Sequence, residues 1–174
     1  PWLKSELERL GHECAILTLP SPESPREDEQ VPYALEHATF DERTILVGHS
    51  LGAVVAMKTI ARLDQRIAGL VLIGGFTTPT FKDKPRPFGD AFRWEFDFEK
   101  IRHNAGFIKI LSGPHDYAVP RRQGHVLAER LGGELVEVAA AKPHFTATEE
   151  PIVLAQAIPA IRVFTTRPDT LFGA

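Results

Sequence analysis

Cysteine and long apolar runs are both scarce in this sequence. Cys14 is the only cysteine among 174 residues, so no disulfide can form within the chain. A lone cysteine favours a reducing, cytoplasmic setting. No apolar run approaches the ~20 residues that a membrane-spanning helix needs, and the first residues show no secretory signal pattern. These absences predict a chain without a membrane partner.

Basic residues are neither in excess nor collected in one stripe. The chain has 20 lysines and arginines against 23 aspartates and glutamates, which gives a net charge of −3. This balance argues against a dedicated nucleic-acid-binding surface. A hydrophobic content of 43% and a charged content of 25% are ordinary for a globular protein, and the length suits about one domain.

Apolar runs alternate along the chain with helical patterns, which is typical of β/α units around a parallel sheet. Helices are predicted for the segment ending at residue 10 and for residues 26–37, 51–63, 121–131 and 149–158. Strands are predicted for residues 14–19, 43–48, 67–74, 107–111 and 135–138, the second and third of them fully buried. Residues 76–98 lack periodicity and predict a loop with short helices over one sheet edge.

Both ends of the sequence depart from the pattern of a doubly wound domain. The chain opens on a helix, where such a domain normally begins with a central strand. Near the other end, residues 161–166 form a strand-like run that no helix follows. We therefore expect both ends to be cut points in a longer polypeptide.

The segment Gly-His-Ser-Leu-Gly lies between a predicted strand and a predicted helix. In that context it predicts a nucleophile elbow, with Ser50 as the nucleophile. The turn is tight, so side chains in place of Gly48 and Gly52 are expected to collide with neighbouring elements. The amide of Leu51 is then available to bind an oxyanion. The alternative is an ordinary glycine-containing turn between a strand and a helix.

A serine nucleophile needs a base and a residue that orients the base. In this architecture they follow in the order Ser, Asp, His, each after a later strand. Asp116 follows the predicted strand at residues 107–111, and His144 follows the strand at residues 135–138. We therefore predict that Asp116 and His144 complete a triad with Ser50.

Other acidic residues and histidines fit these two roles less well. Asp64 and Asp83 follow no suitable strand. His115 is the closest rival of His144, but it is adjacent to Asp116 and belongs to the same loop. His49 lies inside the elbow and is expected to pack beneath it. For the two chosen positions, the alternatives are an ordinary turn aspartate and an ordinary loop histidine.

The sequence resembles the small serine hydrolases related to retinoblastoma-binding protein 9, a compact α/β-hydrolase group. The resemblance covers about residues 1–160 and is carried by residues 1–4, 19–22, 44–53, 71–73, 94–101, 112–120 and 144–145. It implies a three-layer αβα sandwich with a mostly parallel sheet, and its triad maps onto Ser50, Asp116 and His144.

Two departures from this family affect the expected site. Members usually have glycine where Pro143 stands, and a proline restricts the loop of the catalytic histidine. Members also begin with a strand and a His-Gly loop that supplies a second oxyanion donor, whereas this chain starts after that point. The resemblance therefore implies a sheet that lacks the family's first strand and an oxyanion hole that lacks one donor.

Residues 163–174 are similar to the segment that opens the editing domain of leucyl-tRNA synthetases. This resemblance implies a domain boundary, with a hydrolase-like domain at residues 1–160 and the start of an editing-domain segment at residues 161–174. It also implies a hydrolase-like domain inserted in, or fused beside, the editing region of such a synthetase. The parent polypeptide would bind ATP, leucine and tRNA.

Two functional hypotheses follow. The first is a serine hydrolase that cleaves an ester, thioester or amide of a small acyl substrate, with no metal or organic cofactor. ATP and tRNA enter only through a synthetase parent. The second is a catalytically weak module with this fold that serves for interaction or for tRNA positioning. The sequence does not name the acyl group, and we expect its specificity to reside in residues 76–98.

Overall fold

Four parallel strands form the main sheet of the chain. A computed structural model describes residues 2–140 and 142–162. The strands lie in the order β1 (Ile45–His49), β2 (Ile67–Ile73), β5 (Ala105–Ser112) and β6 (Glu134–Glu137). Strands β3 (Thr80–Phe81) and β4 (Lys84–Pro85) form a separate antiparallel hairpin. The helices are α1 (Trp2–Arg9), α2 (Glu27–His37), α3 (Leu51–Ile60), α4 (Phe98–Asn104), α5 (Arg121–Leu131) and α6 (Pro151–Arg162).

Helices cover both faces of this sheet. Side chains of a strand alternate between faces, so Leu70 and Leu72 of β2 pack with residues of α3, α4 and α5. Val71 and Ile73 face the other way and pack with Val153 of α6. This arrangement confirms the predicted three-layer αβα sandwich. No helix in the described residues is both long and apolar enough to span a bilayer.

The two strands that were predicted to be fully buried differ in the structure. Every residue of β2 is buried, as predicted, whereas only Gly48 is buried in β1. The reason is pairing, because β2 lies between β1 and β5 while β1 pairs with β2 alone among the described strands. The strand at residues 43–48 is therefore confirmed, and its complete burial is wrong.

The predicted strand at residues 14–19 is also wrong. These residues have an irregular conformation, and Ile16 is 58% exposed. A strand needs a hydrogen-bonded neighbour, and no described strand pairs with this segment. The Cys14 carbonyl instead accepts a hydrogen bond from the Lys4 ammonium, at 2.6 Å. An apolar run therefore did not suffice to form a strand here.

Two further segments differ from the sequence-based expectations. Residues 76–98 contain the hairpin of β3 and β4 in addition to a short 3₁₀ turn at Gly89–Ala91. Helix α6 continues to Arg162, so the first two residues of the strand-like run at 161–166 are helical. The remainder of that run, and the segment at 163–174, lie outside the described residues. The domain boundary after residue 160 stays a prediction.

Candidate active site

Ser50 occupies a strained turn between β1 and α3. Its backbone has φ 55° and ψ −122°, in the left-handed range that non-glycine residues rarely adopt. Its amide donates to the Ile73 carbonyl at 2.9 Å, which fastens the turn to β2. A Cβ at Gly48 would lie 2.5 Å from the Gly52 carbonyl oxygen, so only glycine fits there. The collision predicted at Gly52 is wrong, because a Cβ there would meet no described atom of a neighbouring element within 4 Å.

The start of helix α3 provides a partial positive charge beside Ser50. Leu51 is the first residue of this helix, so its N–H has no acceptor within the helix. The aligned peptide dipoles add to the favourable potential for an anion at this end. The Ser50 side chain does not cap the helix. The hydroxyl is therefore available to another partner.

Ser50, His144 and Asp116 form a continuous hydrogen-bonded chain. His144 Nε2 lies 2.9 Å from Ser50 Oγ, and His144 Nδ1 lies 2.8 Å from Asp116 Oδ2. A carboxylate can only accept, so Nδ1 carries the hydrogen and the Nε2 lone pair accepts from the serine hydroxyl. The structure thus brings together the three residues that the sequence predicted. They come from the ends of three different strands, β1, β5 and β6.

Asp116 is held as an ionised carboxylate. Its side chain is only 2% exposed. Burial acts to raise the pKa of the carboxyl group. Hydrogen bonds from His144 and from the amides of Val119 and Ala118 together lower it by more, so the pKa lies below its ordinary value. Both amides donate to Oδ1 at 2.8 Å. A negative charge fixed in this way can stabilise a protonated imidazole.

The loop that carries His144 is strained as well. His144 and Phe145 have φ values of 59° and 53°. Pro143 begins the short 3₁₀ turn Pro143–Phe145, and the His144 ring nevertheless reaches both of its partners. Strain of this kind persists only where the surroundings over-determine the conformation, so the neighbours of this loop matter for the site.

Two residues outside the predicted triad hold this loop. His49 is partly exposed rather than packed beneath the elbow, and its Nε2 lies 2.9 Å from the His144 carbonyl oxygen. Because a carbonyl oxygen can only accept, His49 donates through Nε2, and burial by neighbouring groups lowers the pKa of this ring. On the other side, the buried Glu150 carboxylate accepts from the amides of Lys142 and Ala147 at 3.4 and 3.3 Å.

Gly74 makes room for the imidazole–carboxylate pair. It follows β2 with φ +53°, and a Cβ there would lie 3.4 Å from both Asp116 Oδ2 and His144 Nδ1. Its positive φ already disfavours other residues. The sequence signal was the pair of glycines directly after a fully buried strand, which indicates a close approach of backbone and side chains.

The alternative residues lie apart from this chain of hydrogen bonds. His115 is exposed, Asp64 has a fully exposed side chain 4.0 Å from Lys100, and Asp83 occupies the tip of the β3–β4 hairpin. In the part of the chain that the structure describes, no three histidine, cysteine, aspartate or glutamate side chains form a group suited to a metal ion.

Comparisons with known proteins agree with this architecture. Residues 4–150 match the sequence model of the serine hydrolase family. Serine hydrolase RBBP9 of Rattus norvegicus is 28% identical over 149 residues, which cover 85% of this chain and 78% of the rat protein. The hydrolase YdeN of Bacillus subtilis (strain 168) is 32% identical over 143 residues, which cover 79% of this chain and 73% of that protein.

Solved structures show the same fold. The crystal structure of the ydeN gene product from B. subtilis has a TM-score of 0.81 at 27% identity, covering 92% of this chain and 89% of that chain. An extracellular α/β-hydrolase from a Paenibacillus species has a TM-score of 0.69 at 17% identity, covering 91% of both chains. The chain therefore belongs to the serine hydrolase family and has an α/β-hydrolase fold, with a mostly parallel central sheet and helices on both sides.

Proposed function

We propose that this chain hydrolyses esters, thioesters or amides of a small acyl group, with Ser50 as nucleophile, His144 as base and Asp116 as the residue that orients the base. The observation that supports this most directly is the pair of hydrogen bonds, 2.9 and 2.8 Å long, that joins the three side chains in series. In the proposed reaction, Ser50 Oγ attacks the substrate carbonyl carbon while His144 Nε2 takes the hydroxyl proton.

The charges that develop in this step have counterparts nearby. The carbonyl oxygen becomes an oxyanion, for which the Leu51 amide at the start of α3 is the proposed donor. The imidazole becomes positive and faces the ionised carboxylate of Asp116. When the tetrahedral intermediate collapses, His144 gives its proton to the leaving group, and the acyl group stays on Ser50. Water activated by the same histidine then releases the acid and restores the serine.

A fluorophosphonate probe tests the identity of the nucleophile. Wild-type protein is expected to react at Ser50, and Ser50→Ala is expected to abolish the labelling. Ser24→Ala is a matched control, because Ser24 is an exposed loop serine and its replacement is expected to leave the labelling unchanged. Labelling that persists in Ser50→Ala would show that another residue is the nucleophile.

Turnover of a p-nitrophenyl ester tests the two other roles. Removal of the triad aspartate lowers kcat by about 10⁴-fold and removal of the histidine by about 10⁶-fold in other triads, so Asp116→Asn and His144→Ala are each expected to cause losses of this order. If Asp116→Asn retains activity within about tenfold of wild type, Asp116 is not the orienting residue. Wild-type turnover no faster than that of Ser50→Ala would favour the second hypothesis, a module with this fold that serves for interaction.

A synthetase parent is a separate proposal that rests on the sequence of residues 163–174. We propose that this segment opens an editing domain, so that the hydrolase domain belongs to a leucyl-tRNA synthetase polypeptide. The coding sequence beyond Ala174 tests this directly, since it should continue into that editing domain. A reading frame that stops near Ala174 would contradict it. In a synthetase, deletion of the hydrolase domain followed by assays of leucylation and of mischarged-tRNA hydrolysis would separate the two activities.

A further inference from the structure

Arg86 lies in the segment between β2 and α4 with its cationic group held against aromatic rings. The guanidinium carbon lies 3.7 Å from the centre of the Phe76 ring and 5.9 Å from the centre of the Phe81 ring. Its Nε donates to the Thr78 carbonyl at 3.2 Å. These contacts fix the position of the positive charge, because stacking and a hydrogen bond restrain an otherwise flexible side chain.

One nitrogen of this guanidinium has no hydrogen-bond partner. The Nη2 atom is buried, and no acceptor in the described residues lies within hydrogen-bond distance of it. Within the described residues, no carboxylate oxygen lies within 4.0 Å of the Arg86 guanidinium, so Arg86 forms no ion pair. The contrast is with the buried Glu27 carboxylate, which forms ion pairs with three cations. A buried donor without an acceptor destabilises the folded protein, and more so when it is charged. Native proteins rarely leave such a donor unsatisfied, so it calls for a ligand.

Arg86 is connected to the candidate active site by packing. The Phe76 ring beneath it is 1% exposed and belongs to an apolar cluster that also contains Val119 and Leu51. Val119 follows Asp116 in the same loop, and Leu51 follows Ser50. Phe76 itself comes two residues after Gly74, where an added Cβ would lie 3.4 Å from both Asp116 Oδ2 and His144 Nδ1.

Electrostatics agree with this position. Burial lowers the pKa of Arg86, and the negative charge of Asp116 acts in the opposite direction, so the two groups lie within electrostatic range. Asp116 nevertheless does not serve as the partner, because its oxygens accept from His144, Ala118 and Val119 and form no hydrogen bond or ion pair with Arg86. The positive charge of Arg86 therefore stays available to another anion.

The hairpin that precedes Arg86 strengthens the positive potential. Lys82 lies in the turn of the hairpin and Lys84 in strand β4, and these two positive charges outnumber the one negative charge of Asp83. Lys82 lies over the Phe81 ring, 5.1 Å from its centre. A planar guanidinium with unused N–H groups in such a field matches the shape and charge of a carboxylate.

We propose that Arg86 is a specificity-determining residue that binds a carboxylate group on the substrate, away from the bond that is cleaved. The preferred substrates are then half-esters, half-thioesters or half-amides of dicarboxylic acids, or acyl esters of hydroxy acids. This inference rests on the proposed hydrolase function and adds the substrate class to it.

Matched ester pairs test the preference. In the first pair, p-nitrophenyl hemiglutarate and p-nitrophenyl valerate have acyl chains of equal length and differ by the terminal carboxylate. In the second pair, 4-carboxyphenyl valerate and phenyl valerate differ by a carboxylate on the leaving group. We expect wild type to favour the carboxylate in one pair by at least tenfold in kcat/KM. Equal kcat/KM values within both pairs would overturn the inference.

Variants of Arg86 connect such a preference to this side chain. Arg86→Gln is expected to lower kcat/KM for the preferred carboxylate substrate at least tenfold and to leave its uncharged counterpart within threefold. Arg86→Lys keeps a positive charge but loses the planar guanidinium, so its kcat/KM for the carboxylate substrate is expected to lie between those of wild type and Arg86→Gln. It serves as a second variant if Arg86→Gln does not fold. Arg122→Gln, an exposed arginine on α5, is the control without effect. Equal losses for both members of the pair would contradict the assignment.

A binding measurement separates this inference from the proposed function. Monomethyl glutarate and 4-hydroxybenzoate are titrated into the Ser50→Ala protein and their binding is measured by calorimetry. They carry the carboxylate of the acyl group and of the leaving group in the two ester pairs, and the measurement needs no turnover. Binding of one of them that weakens at least tenfold on adding Arg86→Gln would support the carboxylate site even if Ser50 proved not to be the nucleophile. Labelling of Ser50 and turnover of neutral esters, combined with no Arg86-dependent binding, would overturn the inference and leave the hydrolase function intact.

Discussion

Strands β1 and β2 lie side by side with similar sequences and different surroundings. Leu46 is opposite Leu70, and Val47 is opposite Val71. Every residue of β2 is buried, because strands flank it on both sides, whereas β1 has a neighbour on one side only among the described residues. The comparison shows that an apolar run predicts a strand, while the number of its neighbours decides how deeply it is buried.

A similar contrast separates the first two helices of the chain. Helix α2 begins at Glu27, whose side chain is 6% exposed and contacts Lys58, Arg62 and Arg93. Helix α1 instead carries ion pairs with partly exposed side chains, such as the one between Glu6 and Arg9. We call helix α2 with its partner helix α3 the anchored side and helix α1 the open side.

The largest effect is expected from removing the buried charge of the anchored side. Glu27→Gln leaves the surrounding cations without their counter-charge, and breaking a buried ionic cluster in this way costs about 3–5 kcal/mol. Glu6→Gln on the open side is the matched control, since pairs of exposed side chains contribute about 0–1 kcal/mol. Urea unfolding measures both. Similar losses for the two variants would break the distinction between the two sides.

Next in size is the difference between two leucines that face each other across the sheet. Leu70→Ala removes a fully buried side chain of β2 and is expected to cost about 2–5 kcal/mol of unfolding free energy. Leu46→Ala in β1 is expected to cost less than half as much, because Leu46 is only half-buried and loses less contact. Urea unfolding of the two variants decides this. A larger loss for Leu46→Ala would mean that β1 is covered in solution.

Amide hydrogen exchange sharpens the comparison at the level of single bonds. In a parallel pair the backbone groups of successive residues point to opposite sides. Ser50 N–H and the Thr44 carbonyl both face β2, so the Val47 amide faces the open edge. We expect Val47 to exchange at least tenfold faster than Val71, as measured by nuclear magnetic resonance. Equal protection of the two amides would contradict an open edge.

The smallest effect is the pH dependence of the anchored side. Hydrogen bonds and positive charges from Arg93 and Lys58 keep the pKa of Glu27 below its ordinary value of 4.5, although burial acts to raise it. A lowered pKa contributes stability that is present above the ordinary value and is lost as the pH falls through the folded-state pKa. The stability difference between wild type and Glu27→Gln should therefore be constant from about pH 7 to about pH 5.5 and shrink below about pH 4.5. A difference that grows on acidification would contradict this assignment.

In the candidate site, the triad residues could be predicted from the sequence, whereas the residues that support them could not. Ser50, Asp116 and His144 could be chosen because each follows a predicted strand in the order that the elbow motif requires. The structure brings these three side chains together. Gly74 and His49 could not be chosen, because their contacts with Asp116 and with the His144 loop link segments up to 95 positions apart. Glu150 could not be chosen, because its bonds to the amides of Lys142 and Ala147 depend on how that irregular loop folds. No local pattern records such contacts.

The sequence by itself determined the local elements of this protein. The period of apolar residues set the helices and the paired strands, and Gly48 allowed the strained turn at Ser50, since these features depend on neighbours a few positions away. Only the tertiary structure decided that β1 is half-exposed, that residues 14–19 form no strand, and that Arg86 Nη2 has no hydrogen-bond partner among the described residues. Those outcomes depend on which distant groups supply a hydrogen bond or cover a surface, and local preference carries no information about them.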